Sequence, residues 1–254
     1  MLGPGIDNWA QGRAILRDEI AYSPQNTVYP LVASLPPNER RRSSTLVRLA
    51  LSVGLEAAAQ AELEPKGLPA VFASSGGDNY NCHAICEQLA TEDRHLSPTR
   101  FHNSVTNAPA GYWGIATGSM ESSTVICAFD ASFGAGLLES LAQVIADNSR
   151  CILIAYDMDY PEPLHSVRPI PDGLGVALVL APRRTQRSLA ALQVALTQES
   201  GDSFTETPLE ELRLAVPAAR GLPMLRAMAR GENGHVVLDY LDTARIAVDI
   251  TSCA

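Results

Sequence analysis

The stretch "TVICAFDASFGAGLLES", Thr124 to Ser140, decides how the rest of the chain is read. A β-rich apolar run passes through a tight "DASFG" turn straight into a helix that begins with small residues. Several enzymes mount a nucleophile on such a turn. The amino end of a helix stabilises a nearby anion by about 0.3–1 kcal/mol and lowers the pKa of a thiol placed there. The residues at this turn are Asp130 and Ala131, neither of which is a thiol. Many α/β proteins contain a strand, sharp turn and helix, so the flanking sequence has to supply the specificity.

Upstream, "PAVFASSGG" (69–77) is a short buried strand opening into a loop, and "DNYNCHAICEQLAT" follows it as a helix. In "SPTRFHNSVTNAPAGYWGIATG" (97–118), Asn107, Pro109 and Gly111 surround a turn before a helix carrying Tyr112 and Trp113. Downstream, "RCILIAYD" is a strand buried on both faces, and "GLGVALVLAP" and "LAALQVALTQ" have the content of sheet interiors. "PLEELRLAV" and "GLPMLRAMARG" are short helices, and "GHVVLDYLDTARIAVDIT" closes the chain as a hairpin. Residues 40–63 predict one amphipathic helix behind Arg40, Arg41 and Arg42, with Ser43 and Ser44 as candidate caps. The proline-punctuated leader, 1–38, is expected to wrap the surface. Strands alternating with helices argue a layered α/β fold around a mainly parallel mixed sheet.

A chain of 254 residues can bury a substantial core. Its formal charge of −9 opposes nucleic acid as a partner, because that binding draws on Lys and Arg neutralising phosphates. No apolar run reaches the roughly 20 residues that span a bilayer, and the first residues lack a signal-peptide pattern. A cytoplasmic location is therefore expected, with reduced thiols. The five cysteines, Cys82, Cys86, Cys127, Cys151 and Cys253, have no framework spacing. Cys82, His83 and Cys86 lack a second ligand pair, so no metal site is expected; no cofactor is expected either.

Taken together, the "SP..F..SV.NA.AG...IATG" run, the elbow, "RCILIAYD" and "GLGVALVLAP" resemble the N-terminal half of a β-ketoacyl synthase of the thiolase fold. More narrowly, the chain resembles the short ketoacyl-synthase-like subunits called chain-length factors of aryl polyene pathways. The resemblance is good from Trp9 to Ala181 and loose beyond, so 1–181 is expected as the synthase-like domain and 182–254 as a shortened second half packed on it. In active synthases the elbow carries a cysteine that accepts an acyl chain from acyl carrier protein, assisted by two histidines of the second half. Counting from Asn107 puts that cysteine position on Asp130, and counting from "CILIAY" puts it on Ala131. Beyond the elbow only His165 and His235 occur, and no "HGTGT"-like run does. Cys127 lies too early, inside the strand, where burial would keep its thiol inert.

The resemblance implies a non-catalytic subunit that pairs with a full-length β-ketoacyl synthase and shapes its acyl tunnel. On that reading, the strand with Thr124 and Ile126 pairs across the interface. Asn107, Ala108, Pro109, Gly111, Tyr112 and Trp113 face interface or tunnel, and Phe129 and Phe133 are candidate plugs. Trp113 and Phe133 are equally suited to filling the core, and Asp130 to capping its helix. Acyl carrier protein would dock mainly on the partner, with Arg40, Arg41, Arg42 and Arg48 as possible helpers. An alternative is a stand-alone acyltransferase or thioesterase using Cys127 or Ser132 with His102.

Overall fold

The computed structural model describes residues 1–253. Helix α1 (Trp9–Leu16) is capped by Asn8, whose side chain accepts from the Gln11 N–H at 3.0 Å. The leader does more than wrap the surface. Met1, Leu2, Ile6, Ile15 and Leu16 are buried, and Leu2 exchanges two backbone hydrogen bonds with Gly175 (3.0 and 2.8 Å). Its apolar residues are too many and too close together to be left in water.

The single helix expected over 40–63 is two. Helix α2 (Pro37–Arg42) ends where Ser43 turns extended, and α3 (Thr45–Gln60) restarts behind Ser44, whose hydroxyl accepts from the Val47 N–H at 3.3 Å. Ser44 acts as the cap that serine favours, and a cap requires non-helical backbone before it. Arg40 is thereby freed to donate to the carbonyls of Ala33 and Leu35 (2.7 and 2.8 Å), tying α2 to the leader.

Strand β1 (Ala70–Ala73) is followed by α4 (Asn79–Leu89), α5 (Pro98–Asn103) and α6 (Ala108–Thr117). Pro109 and Gly111, expected in a turn, lie within the first turns of α6, where a proline's missing N–H removes no helical bond. Strand β2 (Ser123–Ile126), a 3-10 turn (Phe129–Ala131), α7 (Ser132–Asp147) and β3 (Cys151–Asp157) follow. Then come α8 (Leu164–Val167), β4 (Leu174–Leu180), β5 (Ala190–Thr197), α9 (Thr207–Ala215), α10 (Leu222–Arg230), β6 (Gly234–Asp239) and β7 (Arg245–Ser252).

The first sheet has the order β2-β1-β3-β4, with β1 parallel to both β2 and β3 and only β4 antiparallel. The second, β5-β7-β6, is wholly antiparallel. Strand β3 is buried at every residue. Ile152, Ile154 and Tyr156 enter one core with α3, Phe72 and Trp113, while Cys151, Leu153 and Ala155 enter another with Phe133, Leu137, Leu222 and Val248. That two-sided burial is what the unbroken "CILIAY" run encodes. Strand β5 differs from the expected interior strand. Its residues alternate between half-buried and exposed, because β5 is a sheet edge with only its Leu192 and Val194 face turned to the core.

Helix α7 lies between the two sheets, and its glycines make that possible. A Cβ on Gly136 would stand 2.6 Å from the Ala73 Cβ of the first sheet, and one on Gly134 would stand 2.8 Å from Ile246 Cδ1 of the second. The small-residue start of this helix is therefore a packing requirement on both faces.

Candidate functional site

The elbow sits where β1, β2 and β3 end. Residues after β2 reverse through the 3-10 turn, and Phe129 at its start has φ +53°. Ser132 fastens the turn: its buried hydroxyl donates to the Phe129 carbonyl (2.7 Å) and accepts from the Ala128 N–H (3.0 Å). A hydroxyl so engaged is a staple, not a free nucleophile.

Asp130 does not cap α7; no side-chain cap bond is made there. Its carboxylate instead accepts from Arg168 at 2.6 Å, with Arg220 at 4.0 Å. The Arg168 guanidinium also lies over the Phe129 ring, 3.7 Å from its centroid. A planar cation can serve a carboxylate through its edge and an aromatic ring through its face at once. Burial works to lower the Arg168 pKa, but the Asp130 and Tyr160 contacts outweigh it and raise the value. A cation, a ring and a carboxylate thus stand together at the elbow.

From Arg220 the charges continue inward: Arg220 to Asp239 (3.1 Å), Asp239 to the buried Arg213 (2.5 Å), and Arg213 to Glu210 (2.6 and 2.8 Å). Burial alone would raise the Asp239 pKa, and the surrounding arginines hold it below the ordinary carboxylate value. Behind the elbow, Asp157 closes β3 and is buried. Its two oxygens accept the N–H groups of Ser75 (2.7 Å) and Ala218 (2.8 Å), joining β1, β3 and the 3-10 turn Pro217–Gly221. Burial pushes its pKa up to about 6 despite those bonds.

Cys127 is not inside the strand, as expected, but one residue beyond β2 and exposed. Desolvation by its surroundings and the charge of Asp157 still raise its thiol pKa. His102 is edge-on to the Tyr112 ring, with centroids 5.9 Å apart, and His235 is engaged with Asp249 at 2.7 Å on the second sheet. Of the tunnel candidates, Phe129 is 62% exposed at the elbow, whereas Trp113 and Phe133 are 0% and 1% exposed. These two fill the core, and a Cβ on Gly221 would stand 2.1 Å from the Phe133 ring. Tyr112, Ala108 and Pro109 are buried as well, while Asn107 and Gly111 are on the surface. Thr124 accepts from Gln143 at 3.0 Å, and Ile126 packs against the core from the edge strand β2. Among the described residues no cluster of His, Cys, Asp and Glu could hold a metal, and no helix is long and apolar enough to cross a membrane. A cleft of about 780 Å³ opens at the opposite ends of the strands, beside Leu68, Pro69 and Arg150, and shares no residue with the elbow.

Arg168, Arg220 and Asp157 carry the site yet are not flagged by the sequence: each is a single charged residue in an unremarkable segment. Only Asp157, an acid ending an all-apolar strand, leaves a local signal. We expect a double-mutant cycle of Arg168→Ala and Asp130→Asn to give a coupling of no more than about 1 kcal/mol in urea unfolding, because Asp130 is half exposed.

A thiolase-like mixed α/β fold with its helix-bearing elbow at the strand ends defines the class. The β-ketoacyl synthase N-terminal domain profile matches residues 9–231, and the chain belongs to that family. The match runs past Ala181, where the resemblance was expected to loosen. The structure superposes on the ketosynthase (ApeO) in complex with its chain length factor (ApeC) from Xenorhabdus doucetiae. That match has a TM-score of 0.73 and 22% identity, and it covers 98% of this chain and 95% of that one. The ishigamide ketosynthase/chain length factor gives 0.65 at 13% identity, covering 96% and 95%. A β-ketoacyl synthase from Burkholderia phymatum gives 0.57 at 11%, covering 91% of this chain and 69% of that one. No curated protein matches the sequence.

Proposed function

We propose that this chain is the non-catalytic, chain-length-factor-type partner of a full-length β-ketoacyl synthase. The pair elongates a chain carried on acyl carrier protein, in the cytoplasm, within an aryl-polyene-type pathway. The observation that carries this reading is the elbow itself. The turn that mounts the nucleophile in synthases holds Phe129, Asp130 and Ala131, and Asp130 is tied to Arg168. A carboxylate engaged by arginine is a poor replacement for a thiolate in thioester exchange. Two solved structures of similar fold, each of a ketosynthase with a chain length factor, support the same reading. In it, edge strand β2 meets the synthase and Phe129, with Asn107 and Gly111, lies along the shared surface. Carrier protein docks mainly on the synthase.

Co-expression with its synthase is expected to yield a heterodimer with one copy of each chain. After incubation with an acyl thioester, intact mass should show the acyl group on the synthase alone. Gly111→Trp should abolish co-purification without unfolding the chain, since a Cβ there meets nothing within 4 Å. Phe129→Ala and Phe129→Trp should move product length in opposite directions by whole two-carbon steps. Unchanged products in the subunit's absence, or an acyl adduct on this chain, would end the proposal.

A further inference from the structure

Strand β5, "AALQVALT", contains no charge and no proline over 8 residues. It pairs with β7 along its whole length and stands at the end of its sheet. Among the described residues no backbone hydrogen bond reaches its far side. Soluble proteins usually blunt such an edge with lysine, proline or a bulge, because its unpaired N–H and C=O groups invite another strand. Here nothing blunts it, and Leu189 just before it and Leu196 within it are 46% and 63% exposed.

The charges flanking β5 indicate what covers it. Arg183, Arg184 and Arg187 precede the strand and Glu199 follows it. If two copies of β5 run antiparallel about a twofold axis at Gln193, the basic segment that enters one strand, with Arg187, comes to the end where Glu199 leaves the other. The same register sets Leu192 against Val194 and Ala190 against Leu196 on the core-facing side, where apolar cross-strand pairs stabilise a sheet. Within one chain Arg187 pairs with Glu62, and Glu199 lies 3.4 Å from His235 Nε2. All four groups are exposed enough to exchange partners. A parallel arrangement would bring like charges together.

We propose that this chain self-associates through the free edge of β5, its occupant being the β5 of a second copy. The two three-stranded sheets then become one continuous antiparallel sheet across a twofold axis. Strand β2 belongs to the other sheet, so this contact leaves the edge assigned above to the synthase open, and it stands whether or not that assignment does.

The test is sedimentation of the purified chain across a concentration series, with two variants at the axis. Gln193 is exposed, so Gln193→Lys and Gln193→Cys should keep the fold, checked by circular dichroism. Gln193→Lys places two ammonium groups opposite each other and should weaken the dimer by roughly fivefold or more. Gln193→Cys, oxidised, should give a disulfide-linked species of twice the chain mass that the wild-type cysteines do not give. Where the chain is isolated with a synthase, Gln193→Lys should reduce a two-plus-two assembly to one-plus-one. A chain monomeric at every concentration, or a dimer that Gln193→Lys leaves intact and Gln193→Cys fails to link, overturns the proposal.

Discussion

Trp113→Ala is expected to destabilise the protein by about 3–5 kcal/mol, the range for deleting a large aromatic side chain from a packed core. The indole is fully buried, edge-on to Phe72 with centroids 6.3 Å apart, and packed over Gly54 of α3. Without it α3, α6 and the first sheet share a void that their backbones cannot close. For a chain of this size the loss should lower Tm by roughly 10 °C. Thermal unfolding measures it, and the same variant separates the two roles the sequence leaves open. A tunnel wall would shift product length and leave Tm nearly unchanged, whereas a core residue does the reverse.

The second large effect is in the pH dependence of stability. Burial raises the Asp157 pKa from 3.8 in the unfolded chain to about 6 in the folded one. The folded state therefore holds the proton more tightly than the unfolded state. The stability this confers is fully present below pH 4 and is lost as pH rises through about 6. A shift of about two units corresponds to something of the order of 3 kcal/mol. Asp157→Asn should lack this dependence across the same window, at lower stability, because asparagine offers one acceptor oxygen and a donor NH2 where the Ser75 and Ala218 N–H groups need two acceptors. Urea unfolding of both proteins from pH 4 to pH 7 gives the comparison. Parallel profiles would mean that Asp157 is ionised in the folded protein throughout.

The strands and helices are nearly all legible in the sequence, because β1, β3 and α7 are written in the strongest patterns available: doubly buried apolar runs and a turn between them. What escapes is set by partners far along the chain. Ser44 breaks α2 from α3 through one hydroxyl. Strand β5 reads as an interior strand until β7 is seen to cover only one of its edges. The elbow is legible in the sequence, and its contents are not. Asp130 suits a cap by local preference, and it is claimed instead by Arg168, 38 residues on. Phe133 and Phe129 are alike in sequence, yet only the second remains at the surface, since the helix turns the first toward Gly221.

Helix α7, with Gly134 against one sheet and Gly136 against the other, ties the shape of the elbow to both sheets at once. The turn that delivers this helix is the keel on which both halves of the molecule are laid. The residue at the turn could change by a single substitution, whereas any change of the bend would have to rebuild two interfaces together.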